Sequence, residues 1–104
     1  MEEKLKLYLR TMISNNGSDL HIKSGAIVRV RVDGVLKLLG KDELTADMVD
    51  QIAKEITTPE QYEMLKKDKN LDFTYVLGDE HRFRVNLFHQ MDGLSGVFRI
   101  IPVK

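Results

Sequence analysis

The sequence contains no cysteine, no tryptophan and only two prolines, and it carries no net charge. The absence of cysteine excludes disulfide bonds and thiolate metal sites, which is typical of proteins from a reducing compartment. Because 16 basic residues balance 16 acidic residues, the chain has no overall field that would attract a nucleic acid or an anionic membrane. We therefore expect no nucleic-acid partner, and any anion-binding site has to be local.

The sequence also lacks a long apolar run. The first twelve residues, MEEKLKLYLRTM, carry charges throughout, so they resemble neither a secretory signal nor a transmembrane span. Hydrophobic residues still make up 42% of the 104 residues, which is enough for one modest core. We expect a single cytosolic domain that spans residues 1–104.

Hydrophobic periodicity predicts the order helix, two or three strands, two helices and three strands. The first helix ends in the sequence NNG, with Gly17 as the predicted left-handed residue. An Asp-Gly pair at 33–34 predicts a hairpin turn, and Thr58 with Gln61 predicts a capping box at the start of the third helix. Short turns between consecutive strands imply an antiparallel sheet with helices on one face, so the predicted class is α+β.

The segment RFRVNLFHQMDGLSGVFR, residues 82–99, has the pattern of a single hairpin. A turn centred on Asp92-Gly93 places Asn86 opposite Arg99, and Arg84 then lies diagonal to Arg99, about 7–8 Å away. Alternation of side chains along each strand separates an apolar inner face from a polar outer face. The inner face contains Phe83, Val85, Leu87, Phe98 and Ile100. The outer face contains Arg82, Arg84, Asn86, Phe88, Val97, Arg99 and Ile101.

The pattern alone leaves two interpretations of these arginines open. Arg82 has acidic neighbours on the same and the adjacent strand, so the arginines can be ordinary surface residues that are solvated or ion-paired with Asp72, Asp79 and Glu80. Arginine is also the residue best suited to bidentate recognition of a phosphate or a carboxylate. Two like charges this close destabilise the sheet mildly unless something negative lies between them, but the pattern alone favours the interpretation as ordinary surface residues.

Other sources of chemistry are absent from the pattern. His81 and His89 lie about 26 Å apart along one extended strand, and His21 has no partner at ligand spacing, so no metal site is predicted. The chain shows neither a glycine-rich phosphate loop nor a Ser/His/Asp arrangement. Asp19 is expected to form local hydrogen bonds. We predict no catalytic residue in this chain.

Four stretches, SDLHIKSG, VRVDG, DFTY and RFRVNLFHQMDGLSGVFRIIP, occur in this order along the chain. They resemble the N-terminal domain of the type IV pilus retraction (twitching motility) ATPases, the PilT family of the secretion ATPase superfamily. The last stretch is the most specific, because it matches the family signature R-F-R-V-N-x-F … G-x-x-V-F-R-x-I-P. One departure is SGAIVRV, which replaces a Gly-x-Pro-Pro segment common in the family. The resemblance covers nearly the whole chain and stops where the family continues into its RecA-like ATPase core, so this chain is not expected to be an enzyme by itself.

The resemblance implies a PAS-like fold, a curved antiparallel sheet of about six strands with helices on one face. In such ATPases this domain packs against the core of the next subunit in a homohexamer, and its arginines reach the γ-phosphate of the ATP bound to the core of the same chain. Carried over by motif, these arginines are Arg84 and Arg99, with Arg82 in a supporting role. ATP and Mg²⁺ are implied for the full-length protein and none is expected in the isolated domain. The implied partners are the RecA-like cores and the type IV pilus platform, which places the protein in the cytoplasm at the inner membrane.

Two kinds of alternative remain open, namely a different motor ATPase of the same superfamily and a domain with no role in a motor. The chain also resembles the N-terminal domains of the pilus-assembly and type II secretion ATPases PilB and GspE, although the segment VFRIIP favours retraction. A PAS-like domain of this size can instead be a small-ligand sensor or an oligomerisation module. The apolar inner face argues against a sensor, because it offers no polar group to a buried ligand.

Overall fold

The computed structural model describes residues 1–102, and this part of the chain forms three helices and six strands in the predicted order. The elements are α1 (Glu2–Ser14), β1 (Asp19–Lys23), β2 (Ala26–Val32), β3 (Val35–Leu44), α2 (Ala46–Ile56), α3 (Pro59–Asp68), β4 (Asn70–Leu77), β5 (His81–Gln90) and β6 (Gly93–Ile100). The two helices between β3 and β4 separate the strands into two groups of three.

The six strands form one antiparallel sheet in the order β3-β2-β1-β6-β5-β4. Strands that follow one another within each group of three are neighbours, because short turns join them. The two groups meet where β1 pairs with β6, so the first and the last strand lie together at the centre of the sheet. This central pairing brings residues from the two ends of the sequence into one surface.

The helices cover one face of the sheet, and the core lies between them. Along β2, Val28 and Val30 are buried while Arg29 between them is exposed, as alternation requires for a sheet with one covered face. The predicted inner face of the hairpin is confirmed: Phe83, Val85, Leu87 and Phe98 are buried, and Ile100 is partly buried. The predicted PAS-like α+β arrangement, with helices on one face, is also confirmed.

The starts of α2 and α3 follow from their capping residues. Thr58 Oγ1 accepts a hydrogen bond from the Gln61 backbone N–H at 3.1 Å, and Gln61 Oε1 accepts one from the Thr58 N–H at 2.9 Å, which confirms the predicted capping box. Thr45 Oγ1 caps α2 by accepting from the Met48 N–H at 3.1 Å. Among the residues described, no helix is long and apolar enough to span a membrane.

Two glycines are required by close packing. The prediction that Gly17 is the left-handed residue after α1 was wrong, because Asn16 has the positive φ of 58°. A Cβ at Gly17 would lie 2.5 Å from Met12 Cγ, so glycine allows the chain to turn tightly against α1. Gly96 lies at a second close contact, because a Cβ there would lie 2.8 Å from Leu87 Cδ2.

Candidate anion-binding site

The register of the β5–β6 hairpin differs from the prediction by two residues. The turn consists of Met91 and Asp92, Gln90 pairs with Gly93, and Arg84 lies directly opposite Arg99. The predicted turn centre at Asp92-Gly93, the pairing of Asn86 with Arg99 and the diagonal placement of the arginines were therefore wrong. The faces were predicted correctly, because a shift by an even number of residues keeps every side chain on its side of the sheet.

The physical reason for this register lies at Gly93. It has a positive φ of 124°, and a Cβ at this position would lie 2.9 Å from Ser24 Oγ. Glycine is thus needed inside the strand, where the chain passes the end of β1, and the preceding two residues make the turn. The Asp-Gly pair is a genuine local signal for a turn, but a tertiary contact displaces the turn by one position.

The surface of the sheet that faces away from the helices is the open face. It consists of Arg29 and Arg31 on β2, Asp19 and His21 on β1, Val97 and Arg99 on β6, Arg82, Arg84 and Asn86 on β5, and Asp72 and Thr74 on β4. Direct cross-strand pairing aligns part of this face into a single row, which runs Arg31–Asp19–Arg99–Arg84–Thr74. Neighbours in such a row have Cβ atoms about 4.5–5.5 Å apart. Three arginines and one aspartate therefore lie side by side across four strands.

Asp19 is the buried member of this row, with 3% of its surface exposed. Its Oδ1 accepts from Arg99 Nε at 2.7 Å, and its Oδ2 lies 3.4 Å from Arg31 Nε and 3.2 Å from Ser18 Oγ. Burial by itself would raise the pKa of Asp19, but the hydrogen bond and charge of Arg99, with the Ser18 hydroxyl, outweigh it and hold the pKa below its usual range. The expected local role of Asp19 was incomplete, because its main partner lies 80 residues away.

Arg84 and Arg82 are both exposed and, within residues 1–102, neither forms an ion pair. The partners considered for Arg82 are not used in this way: Asp72 instead accepts a hydrogen bond from the Asn86 amide at 3.1 Å. The structure thus brings Arg84 and Arg99 together. Arg82 lies two residues before Arg84 on β5, about 6.6 Å from it along the strand. The guanidinium donors of Arg84 are therefore all available to a ligand.

The arginine pair borders an open depression of about 820 Å³ on the open face. The lining includes both arginines, Asn86, Asp72, Thr74 and Val97. Because the row contains three arginines and one aspartate, it carries two more positive than negative charges. Its chemistry is that of an anion site, because β5 and β6 each offer one guanidinium group to the same phosphate or carboxylate.

His21 occupies the next row of the open face, opposite Arg29 and Val97. Burial lowers the pKa of His21, and the charges of the neighbouring arginines lower it further against the opposing effect of Asp19. Its Nε2 is buried without a hydrogen-bond partner among the residues described. A neutral imidazole beside the arginine row leaves the anion site to the guanidinium groups.

Comparison with known proteins identifies the family. No family model matches the chain. Over 87 residues, which are 84% of this chain, it is 33% identical to the type IV pilus retraction ATPase PilT of Pseudomonas aeruginosa. The chain is a homologue of the N-terminal domain of the PilT-type secretion ATPases. It is also 30% identical over 73 residues, 70% of the chain, to a twitching motility protein of Neisseria gonorrhoeae.

Solved structures agree with this relationship to PilT. The chain superposes on the crystal structure of the pilus retraction motor PilT with bound ADP at a TM-score of 0.87, with 25% identity over 95% of this chain. The ATPase DotB of Legionella pneumophila shares the fold at a TM-score of 0.82 with 22% identity. The chain spans 25% of the length of the Pseudomonas PilT and 20% of that of the Neisseria protein, so it corresponds to a domain-sized part of these ATPases.

The alternative of a small-ligand sensor is not favoured within this PilT-type fold. The space between sheet and helices is filled by buried apolar side chains from all three helices, among them Leu5, Ile52 and Leu65. The depression beside the arginine pair lies on the opposite, open face. A ligand on the open face meets arginines, whereas a ligand under the helices would have to displace the core.

Proposed function

We propose that this chain is the N-terminal domain of a hexameric motor ATPase that powers type IV pilus retraction. Within this proposal the chain supplies Arg84 and Arg99 to the γ-phosphate of ATP, with Arg82 in a supporting role. The observation that carries the proposal is the direct opposition of Arg84 and Arg99 on the open face of the sheet. The RecA-like core, which lies outside this chain, binds ATP and Mg²⁺ and carries out the hydrolysis.

The energetic logic supports a ligand between the two arginines. Like charges directly opposite each other destabilise a sheet, and no acidic side chain of the described residues lies between Arg84 and Arg99. A terminal phosphate carries the charge and the oxygen geometry that two guanidinium groups match by bidentate hydrogen bonds. In the free domain, Asp19 offsets the charge of Arg99 but not that of Arg84. A phosphate bound by both arginines would offset the remaining repulsion between Arg84 and Arg99.

The mechanism is positional. Phosphoryl transfer depends mainly on placing charge around the γ-phosphate, so two arginines delivered by a closing domain stabilise the transition state. ATP favours the closed position by these contacts, and ADP does not, because it lacks the γ-phosphate. Hydrolysis then releases the domain, and the movement of the domains around the ring pulls on the pilus through the inner-membrane platform.

The location of the helices supports an assignment of partners. The helices cover one face of the sheet, so the open face is the surface that meets the nucleotide on the core of the same chain. The core of the next subunit would contact another part of the domain and so close the homohexamer. The protein would act in the cytoplasm and be held at the inner membrane only through the pilus machinery.

The turnover of the full-length ATPase tests this proposal. Arg84→Ala and Arg99→Ala should each lower kcat by about 10- to 100-fold, the loss expected for one charge-assisted hydrogen bond in the transition state. Arg10→Ala is the matched control, because Arg10 is an exposed arginine on α1, away from the open face. Circular dichroism of each variant shows whether it is folded.

An unchanged kcat in both folded open-face variants would overturn the proposed function. An equal fall in all three variants would also contradict it, because the effect would then depend on total charge. The proposal requires that kcat falls in Arg84→Ala and Arg99→Ala but not in Arg10→Ala.

A further inference from the structure

Asp19 is an unusual residue for its place in the fold. Aspartate is depleted in strands, and β1 is a central strand with β2 on one side and β6 on the other. The carboxylate is almost completely buried on the one face that is otherwise rich in arginine. Both of its oxygens are used, Oδ1 by Arg99 and Oδ2 by Arg31 and Ser18. A buried charge in this position requires such partners, and the chain supplies all of them.

The contact with Arg99 involves one particular atom. Asp19 Oδ1 lies 2.7 Å from Arg99 Nε, yet 70% of the Arg99 side chain remains exposed. A guanidinium has five N–H donors in a rigid planar fork, and the bond to Asp19 uses the single N–H on Nε. The two terminal nitrogens have no partner among residues 1–102. Asp19 therefore holds the guanidinium of Arg99 at Nε and leaves its two terminal nitrogens available to a ligand.

Arg84 provides the contrast within the same row. It is an exposed arginine directly opposite Arg99, and none of the described carboxylates holds it. A long side chain loses rotamer freedom when it binds a ligand, and a side chain already fixed in place loses less. Of the two arginines, Arg99 is thus the pre-organised one, and a single buried carboxylate accounts for the difference.

We propose that Asp19 is a positioning residue, which holds Arg99 through Nε and presents the terminal nitrogens of Arg99 to the phosphate group. This inference rests on the proposed function of the arginine pair. It has a consequence that a purely structural aspartate would not have. The carboxylate orients Arg99 but also repels the anion, so its removal should weaken catalysis while it strengthens or preserves binding of ATP.

A first experiment uses the 104-residue chain and needs no nucleotide. In ¹⁵N NMR spectra, Asp19→Asn should shift and broaden the Nε–H signal of Arg99 and leave that of Arg84 in place. Asp79→Asn is the control, because it removes the same charge from an exposed turn position between β4 and β5. An Arg99 Nε–H signal that is unaffected by Asp19→Asn would overturn the positioning role.

A second experiment uses the full-length ATPase with ATP as the substrate. Asp19→Asn should lower kcat by about tenfold or more through misplacement of Arg99, while KM for ATP stays the same or falls. The double variant Asp19→Asn/Arg31→Gln restores the charge of the row to the wild-type excess of two positive charges, since one charge of each sign is removed. In this variant KM should equal the wild-type value while kcat stays low.

The outcomes separate the two proposals. If Arg99→Ala lowers kcat and Asp19→Asn does not, the positioning role is wrong and the proposed function stands. If Arg99→Ala leaves kcat unchanged, the positioning role toward phosphate is wrong, and if Arg84→Ala leaves it unchanged as well, the proposed function is wrong too. A loss of kcat in Asp19→Asn with a raised KM and an altered circular dichroism spectrum would mean that Asp19 is structural, which also overturns the positioning role.

Discussion

The triplet Arg82-Phe83-Arg84 allows one sharp test of the fold and of the separation of its two faces. Phe83 is fully buried on β5, between its cross-strand neighbours Tyr75 and Ile100. Phe83→Ala removes a large buried ring and should cost about 3–5 kcal/mol of unfolding free energy. A domain of this size has a total stability of about 5–15 kcal/mol, so the loss is severe. For a chain of this length, it lowers Tm by about 14–23 °C.

Arg84→Ala, at the next position, should behave in the opposite way. Arg84 is exposed, unpaired within residues 1–102 and directly opposite Arg99. Its removal relieves a repulsion between like charges. The unfolding free energy should therefore stay the same or rise by up to about 0.5 kcal/mol. Salt screens exposed charges, so any gain should shrink as the ionic strength increases.

Urea and thermal denaturation of the 104-residue chain, followed by circular dichroism, measure both effects. A loss of less than about 1 kcal/mol in Phe83→Ala would contradict the burial of Phe83, because removal of a fully buried ring costs more than this. Destabilisation by Arg84→Ala as large as that by Phe83→Ala would contradict the exposure of Arg84. In that case the open face would be part of the core, and Arg84 would not be available to an anion.

Three further predictions concern stability. Gly17→Ala places a Cβ 2.5 Å from Met12 Cγ and 2.8 Å from Val30 Cγ2, so overpacking should cost about 1–3 kcal/mol in urea denaturation. Thr58→Ala removes the acceptor at the start of α3 and should cost about 1 kcal/mol, measured as a lower Tm. The pKa of Asp19 is lower in the folded state than its unfolded value of about 3.9. The ionised carboxylate therefore stabilises the fold above about pH 3.9, and this contribution is lost as the pH falls through the folded pKa. Asp19→Asn should therefore flatten the decline of the urea midpoint below about pH 4, and an unaltered decline would contradict the role of the Arg99 pair.

The local part of the fold could be predicted from the sequence because its signals are local. Alternation along residues 82–90 assigns the faces of β5, and the Thr58 capping box sets the start of α3. Turn chemistry was less reliable where a distant residue intervenes. Gly93 is needed where Ser24 approaches the hairpin, so the turn lies one position earlier than the Asp-Gly pair suggests.

Of the candidate site, the arginine pair could be predicted from the sequence, but the carboxylate that holds Arg99 could not. Arg84 and Arg99 share a hairpin, so their common face follows from alternation. The partner of Arg99 could not be found in this way, because Asp19 reaches it only through the pairing of β1 with β6. The strand order that brings β1 beside β6 depends on the whole sheet and has no local signal in DLHIK.

If Arg84 and Arg99 recognise the γ-phosphate, they determine the preference of the full-length ATPase for ATPγS over ADP. Calorimetry on the wild type, Arg84→Ala and Arg99→Ala gives both affinities for each protein. Each substitution should weaken the affinity for ATPγS by about tenfold or more and leave the affinity for ADP unchanged, because only the triphosphate reaches the arginines. If the ratio of the two affinities is the same in all three proteins, the arginines do not contact the γ-phosphate.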